Sequence, residues 1–302
     1  MRFSSLGSGS GGGNATLIES PGARLLLDCG FAAREVERRL EGLGVAADSL
    51  DAILVTHEHQ DHIRGVGALA RRHRLPVWMT HGTYRKNRCG DLARLHLFHS
   101  HQPAFSIGDL AIQSFAVPHD ASEPVQFTFS SGGRKLGVLT DLGMPTPHIL
   151  ERLDGCDALV LECNHDPRML AGGPYPPSLR RRVGGGYGHL SNQQAAQILL
   201  RLDHARLRHL LAGHLSERNN RPELARAALL ERVPEIEPRL SLTCPSGRRA
   251  GGSICDPDGP RLAVSGPPPP PARGAGDQHD PAHPAPGGDR GSRRGLPLPR
   301  AG

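Results

Sequence analysis

Tryptophan occurs once in this chain, tyrosine three times and phenylalanine seven times, so aromatic residues make up only 4% of the 302 positions. Once a core is filled, little aromatic surface is left for stacking on a planar ligand. No run of 18 apolar residues exists, which excludes a membrane-spanning helix from the expectations. The start, Met-Arg-Phe-Ser-Ser-Leu-Gly-Ser-Gly-Ser, has no apolar segment of the kind that marks a secretory signal. Six cysteines are scattered without a C-x-x-C pair, and without a secretory signal they are expected to be reduced thiols in a cytoplasmic protein. The net charge of +6 suits a polyanionic partner without proving one. Half of that excess, eight Arg against five Asp, lies in residues 245–302.

That segment differs from the rest. It holds 13 of the 27 prolines, 12 glycines and the run Pro267–Pro271. It has too few apolar residues to offset the conformational entropy of ordering, so it is expected to be a disordered tail with polyproline II character. Residues 1–244 are expected to form one folded domain. There, short apolar runs alternate with helical patterns, which predicts an α/β fold. Strands are expected at Thr16–Ile18, Leu25–Leu27, Ala52–Val55, Pro76–Met79, Leu110–Val117, Val125–Phe129, Leu136–Leu139, Ala158–Leu161, His209–Ala212 and Leu240–Thr243. Helices are expected at Ala33–Leu43, Asn192–Asp203 and Pro222–Arg232, with a capping box formed by Ser191 and Gln194. The glycine-rich Gly7–Asn14 stretch reads as a turn between two strands and lacks the strand-then-helix context of a nucleotide loop.

The densest chemistry is Val55-Thr-His-Glu-His-Gln-Asp-His62. It packs His57, His59, Asp61 and His62 into six positions, between the apolar run Ala52–Val55 and a helical pattern from Ile63. The site would sit at the carboxyl end of a strand, where open α/β sheets build their sites. Imidazole nitrogen with carboxylate oxygen suits zinc, manganese or iron(II). Further polar groups close other apolar runs: Pro118-His119-Asp120 after Leu110–Val117, Asp141 after Leu136–Thr140, and His214 after His209–Gly213.

In this order the Thr-His-x-His-x-Asp-His motif, the later His, the later Asp and the last His resemble the metallo-β-lactamase fold superfamily. Three further segments resemble its YycJ/WalJ-type subfamily, implicated as DNA exonucleases. They are Leu161-Glu-Cys-Asn-His-Asp166, Gly188-His-Leu-Ser-Asn192 and Gly213-His-Leu-Ser-Glu-Arg-Asn-Asn220. The last two are also similar to segments of the tRNase Z group. The resemblance covers residues 1–244 and departs at the tail, since family members end soon after the final strand. It implies a four-layer αβ/βα sandwich. It also implies two divalent ions, zinc or manganese. His57, His59 and His119 would hold one, Asp61, His62 and His214 the other, and Asp141 would bridge them. Two such ions roughly 3.5–4 Å apart share a hydroxide of lowered pKa, the expected nucleophile.

For a phosphodiester the leaving oxygen needs a proton, and His189, two residues before the cap Ser191, is the candidate acid. Glu162, at the end of Ala158–Leu161, is expected to orient it or a metal ligand, and Asp61 counts with the catalytic set. Glu58, on the opposite side of the motif, is expected to be structural. His165 and Asp166 fit a supporting role, while His73, His96, His99, His101 and His148 read as surface or packing residues. Arg180, Arg181 and Arg182 with Tyr187 are expected to contact substrate, and Tyr84–Arg88 is a second basic stretch. The expected function is a dinuclear metal-dependent phosphodiesterase, a DNA exonuclease above all, in which backbone charge and shape matter more than base identity. A thioester or lactam hydrolase on the same scaffold and a non-catalytic metal-binding regulatory module are the alternatives.

Overall fold

A computed structural model describes residues 1–9, 12–86, 88–243 and 250–253. Strands β1 (Arg2–Gly7), β2 (Ala15–Glu19), β3 (Arg24–Leu27), β4 (Ala52–Leu54), β5 (Val77–Thr80) and β6 (Leu95–Phe98) belong to one sheet. A second sheet holds β7 (Phe105–Ile107), β8 (Leu110–Ala116), β9 (Val125–Ser131), β10 (Arg134–Leu139), β11 (Ala158–Glu162), β12 (His209–Gly213) and β13 (Leu240–Leu242). A last strand, β14 (Ala250–Ser253), joins the first sheet. The strand orders are β14-β1-β2-β3-β4-β5-β6 and β13-β12-β11-β10-β9-β8-β7. Each sheet is antiparallel in one half and parallel in the other: β3 to β6 run parallel, as do β10 to β13.

The continuous apolar runs follow from burial on both faces. Successive side chains alternate across a strand. In β3, Leu25 and Leu27 enter the core between the sheets, while Leu26 enters the core under the helices. Likewise, Val160 of β11 faces the other sheet, and Leu159 and Leu161 face helices. Phe3, Phe98, Phe127 and Phe129 fill the inter-sheet core, which is where most of the scarce aromatic volume goes. Helices α1 (Ala33–Glu41), α2 (Gln60–Ile63), α3 (Val66–His73) and α4 (His81–Arg85) connect strands of the first sheet. Helices α5 (Pro147–Leu153), α6 (Pro167–Gly172), α7 (Pro177–Val183), α8 (Asn192–Arg201) and α9 (Pro222–Arg232) do so in the second. Buried residues of α1 and α3 pack on one sheet, and those of α5, α8 and α9 on the other, which makes the four-layer αβ/βα sandwich.

All ten expected strands are present, and the capping box at Ser191 and Gln194 is formed. Helix α1 stops at Glu41, before Gly42 and Gly44, so Leu43 lies beyond it and is 38% exposed. The expected boundary at residue 244 is crossed by β14, which pairs antiparallel with Arg2–Ser5. Edge pairing needs only backbone N–H and C=O groups, so Ala-Gly-Gly-Ser can supply it without apolar side chains. Residues 244–249 and 254–302 lie outside the described residues, and with them the rest of the expected tail 245–302. Among the described residues no helix is long and apolar enough to cross a membrane.

Cys29, Cys89, Cys156 and Cys163 are buried and unpaired. Burial pushes the Cys89 thiol up to about 11 and Cys156 to about 12, and raises Cys29 and Cys163 further. The thiolate is the reactive form, so these groups are inert at neutral pH. An aromatic disulfide reagent at pH 8 is expected to titrate no more than two of the six cysteines in the folded chain, and all six after denaturation. Fast reaction of a third thiol in the native protein contradicts this packing.

Candidate metal centre

The polar groups that close the strands come together at one edge of the sandwich. His57 follows β4, Asp61 and His62 form the first turn of α2, His119 follows β8, Asp141 follows β10 and His214 follows β12. These are carboxyl ends of parallel strands or of β8, which runs the same way as β10 because both are antiparallel to β9. One ligand-type atom each from His57, His59 and His119 lies within 4.8 Å of the others. The same holds for Asp61, His62 and His214, and for His57, His62 and Asp141. Asp141 Oδ2 is 3.0 Å from His62 Nε2, and Asp141 Oδ1 is 3.5 Å from His214 Nε2 and 4.0 Å from His119 Nε2.

Four imidazoles are held by their outer nitrogens. The Thr56 hydroxyl donates to Asp28 (2.9 Å) and therefore accepts from His57 Nδ1 (2.9 Å). His62 Nδ1 donates to Asp28 Oδ2 (2.8 Å), His119 Nδ1 to the Gly188 carbonyl (3.0 Å) and His214 Nδ1 to Glu162 Oε1 (2.7 Å). Each ring thus turns Nε2 inward, as outer hydrogen bonds do for metal-ligating histidines. His57 Nε2 and His214 Nε2 are buried without a hydrogen-bond partner. Buried polar atoms are rarely left so, and nitrogen and carboxylate oxygen converging at these distances fit a divalent ion. His59 differs: its Nδ1 faces His119 Nε2 at 3.1 Å, and its Nε2 faces Asp120 at 3.7 Å.

Charge is finely set here. Burial, with the neighbouring His62, holds His57 well below the histidine range, so it stays neutral. Burial opposes ionisation of Asp141, but His214 and His62 outweigh it and hold Asp141 well below the carboxylate range. His62 goes the other way. Burial works against its charge, and Asp141, Asp61 and Asp28 raise it well above the usual value. Backbone strain collects in the same place. Asp28, Asp141 and His214 have φ of 60°, 53° and 55°, and Arg74 is the one other non-glycine with positive φ among the described residues. Such conformers cost on the order of 1–3 kcal/mol each and persist where surroundings impose them. Gly30 lies so close to the Asp61 carbonyl that an added Cβ would fall 1.7 Å from that oxygen.

Glu162 ends β11 fully buried, with both carboxylate oxygens saturated. Oε1 accepts from His214 Nδ1 and from His189 Nδ1 (2.9 Å), and Oε2 from the Leu142 and Leu190 amides (3.1 Å each). Burial opposes its charge, but the His189 charge and the bonds from His189 and His214 bring it down to about 2. Burial would lower His189, yet Glu162 raises it above the ordinary range. With Nδ1 committed to Glu162, His189 Nε2 is left for a cleft of about 300 Å³. That cleft is lined by His59, Asp61, Asp141, Tyr175, Arg182 and His189, among others. A larger cavity, about 500 Å³, lies at the amino ends of β10 to β12 among Arg134, Arg206, Arg208 and Arg239, away from this cluster.

Of the basic and aromatic candidates, Arg182 reaches the cleft, where its Nε donates to Asp120 Oδ2. Arg180, Arg181 and Tyr187 lie outside the lining. Arg180 binds the Ala171 carbonyl, and Tyr187 is 67% exposed. Consecutive residues on α7 point about 100° apart, so three adjacent arginines cannot share its cleft face. Glu58 is structural, its Oε1 accepting the Ser122 amide (2.9 Å). Asp166 caps α6, and His165 is buried beside Ser191. Sequence reasoning missed Asp28, Thr56, Asn14 and Tyr175. Asp28 was findable by the same rule as the others, a polar group closing the apolar run of β3. Asn14, whose Nδ2 lies 3.3 Å from Asp61 Oδ2 and 3.0 Å from His62 Nε2, has no such signal.

A beta-lactamase superfamily domain matches residues 23–211. The chain is 35% identical over 238 residues to exodeoxyribonuclease YycJ of Bacillus anthracis, covering 78% of this chain and 90% of that one. It is 32% identical over 243 residues to exodeoxyribonuclease WalJ of Streptococcus pneumoniae, again 78% and 90%. Among solved structures, the metallo-beta-lactamase fold protein YhfI of Bacillus subtilis matches 83% of this chain and 100% of its own, with a TM-score of 0.64 at 18% identity. The chain belongs to the beta-lactamase superfamily, as a metal-dependent hydrolase of the metallo-β-lactamase fold related to the YycJ and WalJ proteins.

Proposed function

We propose that this hydrolase is a phosphodiesterase acting on nucleic acid, and specifically a DNA exonuclease, with two divalent ions, zinc or manganese, as cofactors. The observation that carries the reading is the inward Nε2 of four anchored histidines, next to a Glu162-held His189 that is not needed as a ligand. His57, His59 and His119 would hold one ion, Asp61, His62 and His214 the second, and Asp141 would touch both. When bound, the ions supply the positive charge that acidifies a water and neutralises phosphoryl oxygens. The chain's own residues do the rest. Asp61, the more exposed carboxylate at 30%, faces the cleft. His189 carries a proton at Nε2 and can release it to the leaving oxygen. Glu162 keeps that ring aligned and charged. Arg182 places positive charge at the cleft wall for a phosphate, with Arg180 and Arg181 on α7 and the exposed Tyr187 in the loop after it for a longer strand. The names of the YycJ and WalJ relatives support DNA as substrate. Buried, unpaired thiols accord with a cytoplasmic setting.

Removing the Asp61 carboxylate should remove both a ligand and the activity. Asp61→Ala is expected to lower DNA hydrolysis and bound metal by about 100-fold or more. DNA, RNA and a glutathione thioester assayed side by side, with zinc or manganese returned to chelated protein, give the readout. Full activity of the variant, or turnover of the thioester alone, rejects the reading.

A general acid works in its protonated form, so its contribution is present below its pKa and lost as pH rises through it. Glu162 raises the His189 pKa. Glu162→Gln is therefore expected to move the alkaline fall of kcat to lower pH, while His189→Ala lowers kcat by roughly 10²–10⁴ and flattens that limb. An alkaline limb unmoved in both variants removes His189 as the acid.

A further inference from the structure

At the other end of the second sheet, charge gathers where the parallel strands begin. Arg134 opens β10, Asp157 directly precedes β11, Arg208 precedes β12 and Arg239 precedes β13. Arg206 lies two residues before Arg208. All five line the cavity of about 500 Å³. Strands β10 to β13 are successive neighbours, so the row from Arg134 to Arg239 spans three strand steps, roughly 14 Å. Glu162 ends the strand that Asp157 precedes, and five residue steps, roughly 17 Å, therefore separate this rim from the metal centre.

One buried carboxylate organises the row. Asp157 is 1% exposed. Its Oδ1 accepts Arg134 Nη1 at 3.1 Å, and its Oδ2 accepts Arg206 Nη2 and the Lys135 amide, each at 2.9 Å. Both oxygens are engaged, and the lining sets four positive charges against this one negative charge. Arg206 also donates to the Gly133 carbonyl (2.9 Å), and Arg239 Nη1 to the His204 carbonyl (3.3 Å). Neutral acceptors fix a guanidinium without cancelling its charge. Among the described residues Arg208 and Arg239 form no ion pair. The groups stay within reach of solvent: the Arg206 side chain is 54% exposed, and Arg208 is exposed.

Like charges held side by side repel, and a bound anion relieves that repulsion. A guanidinium carries five N–H donors in a planar fork, and the bonds above use only one or two on each group. The remaining donors match phosphate oxygens, which arginine takes in pairs. Ala205 and Leu207 complete the lining, so no ring is present against which a base would pack. The length of the row suits a chain of linked phosphates better than a single one.

We propose that this arginine rim is a second binding site, separate from the metal centre, for a small anion that carries two or three linked phosphate groups. The site reads the phosphates and not a base. Free polyphosphate and the phosphate chain of a nucleotide offer it the same chemistry. The proposal does not rest on the phosphodiesterase reading.

The test titrates the full chain with inorganic tripolyphosphate, with ATP and with a short DNA duplex, by calorimetry at low salt. Tripolyphosphate and ATP are expected to bind within about threefold of each other, since the base adds nothing. Arg208→Ala and Arg239→Ala should each weaken tripolyphosphate about tenfold, the loss of one charge-assisted contact, with Tm unchanged. Arg208→Lys keeps the charge without the fork and should fall between wild type and Arg208→Ala. Asp61→Ala, at the remote metal centre, should leave this binding intact. Unchanged affinity in both alanine variants overturns the site. So does binding that is lost in Asp61→Ala and kept in the arginine variants, which puts the anion at the metal centre. ATP more than about threefold tighter than tripolyphosphate overturns recognition by phosphates alone. A duplex that binds through these arginines while tripolyphosphate does not bind overturns the small anion in favour of a nucleic-acid backbone.

Discussion

Everything at this site depends on how buried imidazoles are held from outside. Asp28, Thr56, the Gly188 carbonyl and Glu162 each take the outer nitrogen of a ring, and the ring then has one orientation and one inward nitrogen. The anchors come from different strands and loops, so the geometry survives only if both sheets keep their register. Positive φ at Asp28, Asp141 and His214 shows the same dependence. The chain accepts strained backbone at strand ends because the sandwich around it is packed on both faces of each sheet.

Glu162 links holding to chemistry. One carboxylate, saturated by two amides and two imidazoles, fixes His214 and His189 together. Two imidazoles of the site thus share an anchor, and a change at Glu162 reaches both. Arg182 and Asp120 form a comparable pair on the other wall, where Asp120 also faces His59 and His119.

Much of this was legible beforehand for a physical reason. A strand buried on both faces has to be a run of apolar residues, and a functional group at its end has to be a polar residue directly after it. Leu136–Leu139 with Asp141, and His209–Gly213 with His214, announce themselves that way. Three of the four edge strands do not. Residues Leu95–Phe98 and Phe105–Ile107 are short and half-exposed, and β14 is Ala-Gly-Gly-Ser. Their place is decided by which backbone edge is free, a property of the assembled sheet.

By itself the order of residues determined the αβ alternation, the strand ends that carry His57 to His62, His119, Asp141 and His214, and the capping of α8. Periodicity and strand-end chemistry are local, so they can be read locally. Only the tertiary structure decided which nitrogen of each ring faces inward, that Arg182 and not Arg180 or Arg181 meets the cleft, and that Arg134 and Arg206 meet at Asp157. Those facts depend on groups far apart in sequence being brought together, and no local pattern records where a side chain finds its partner.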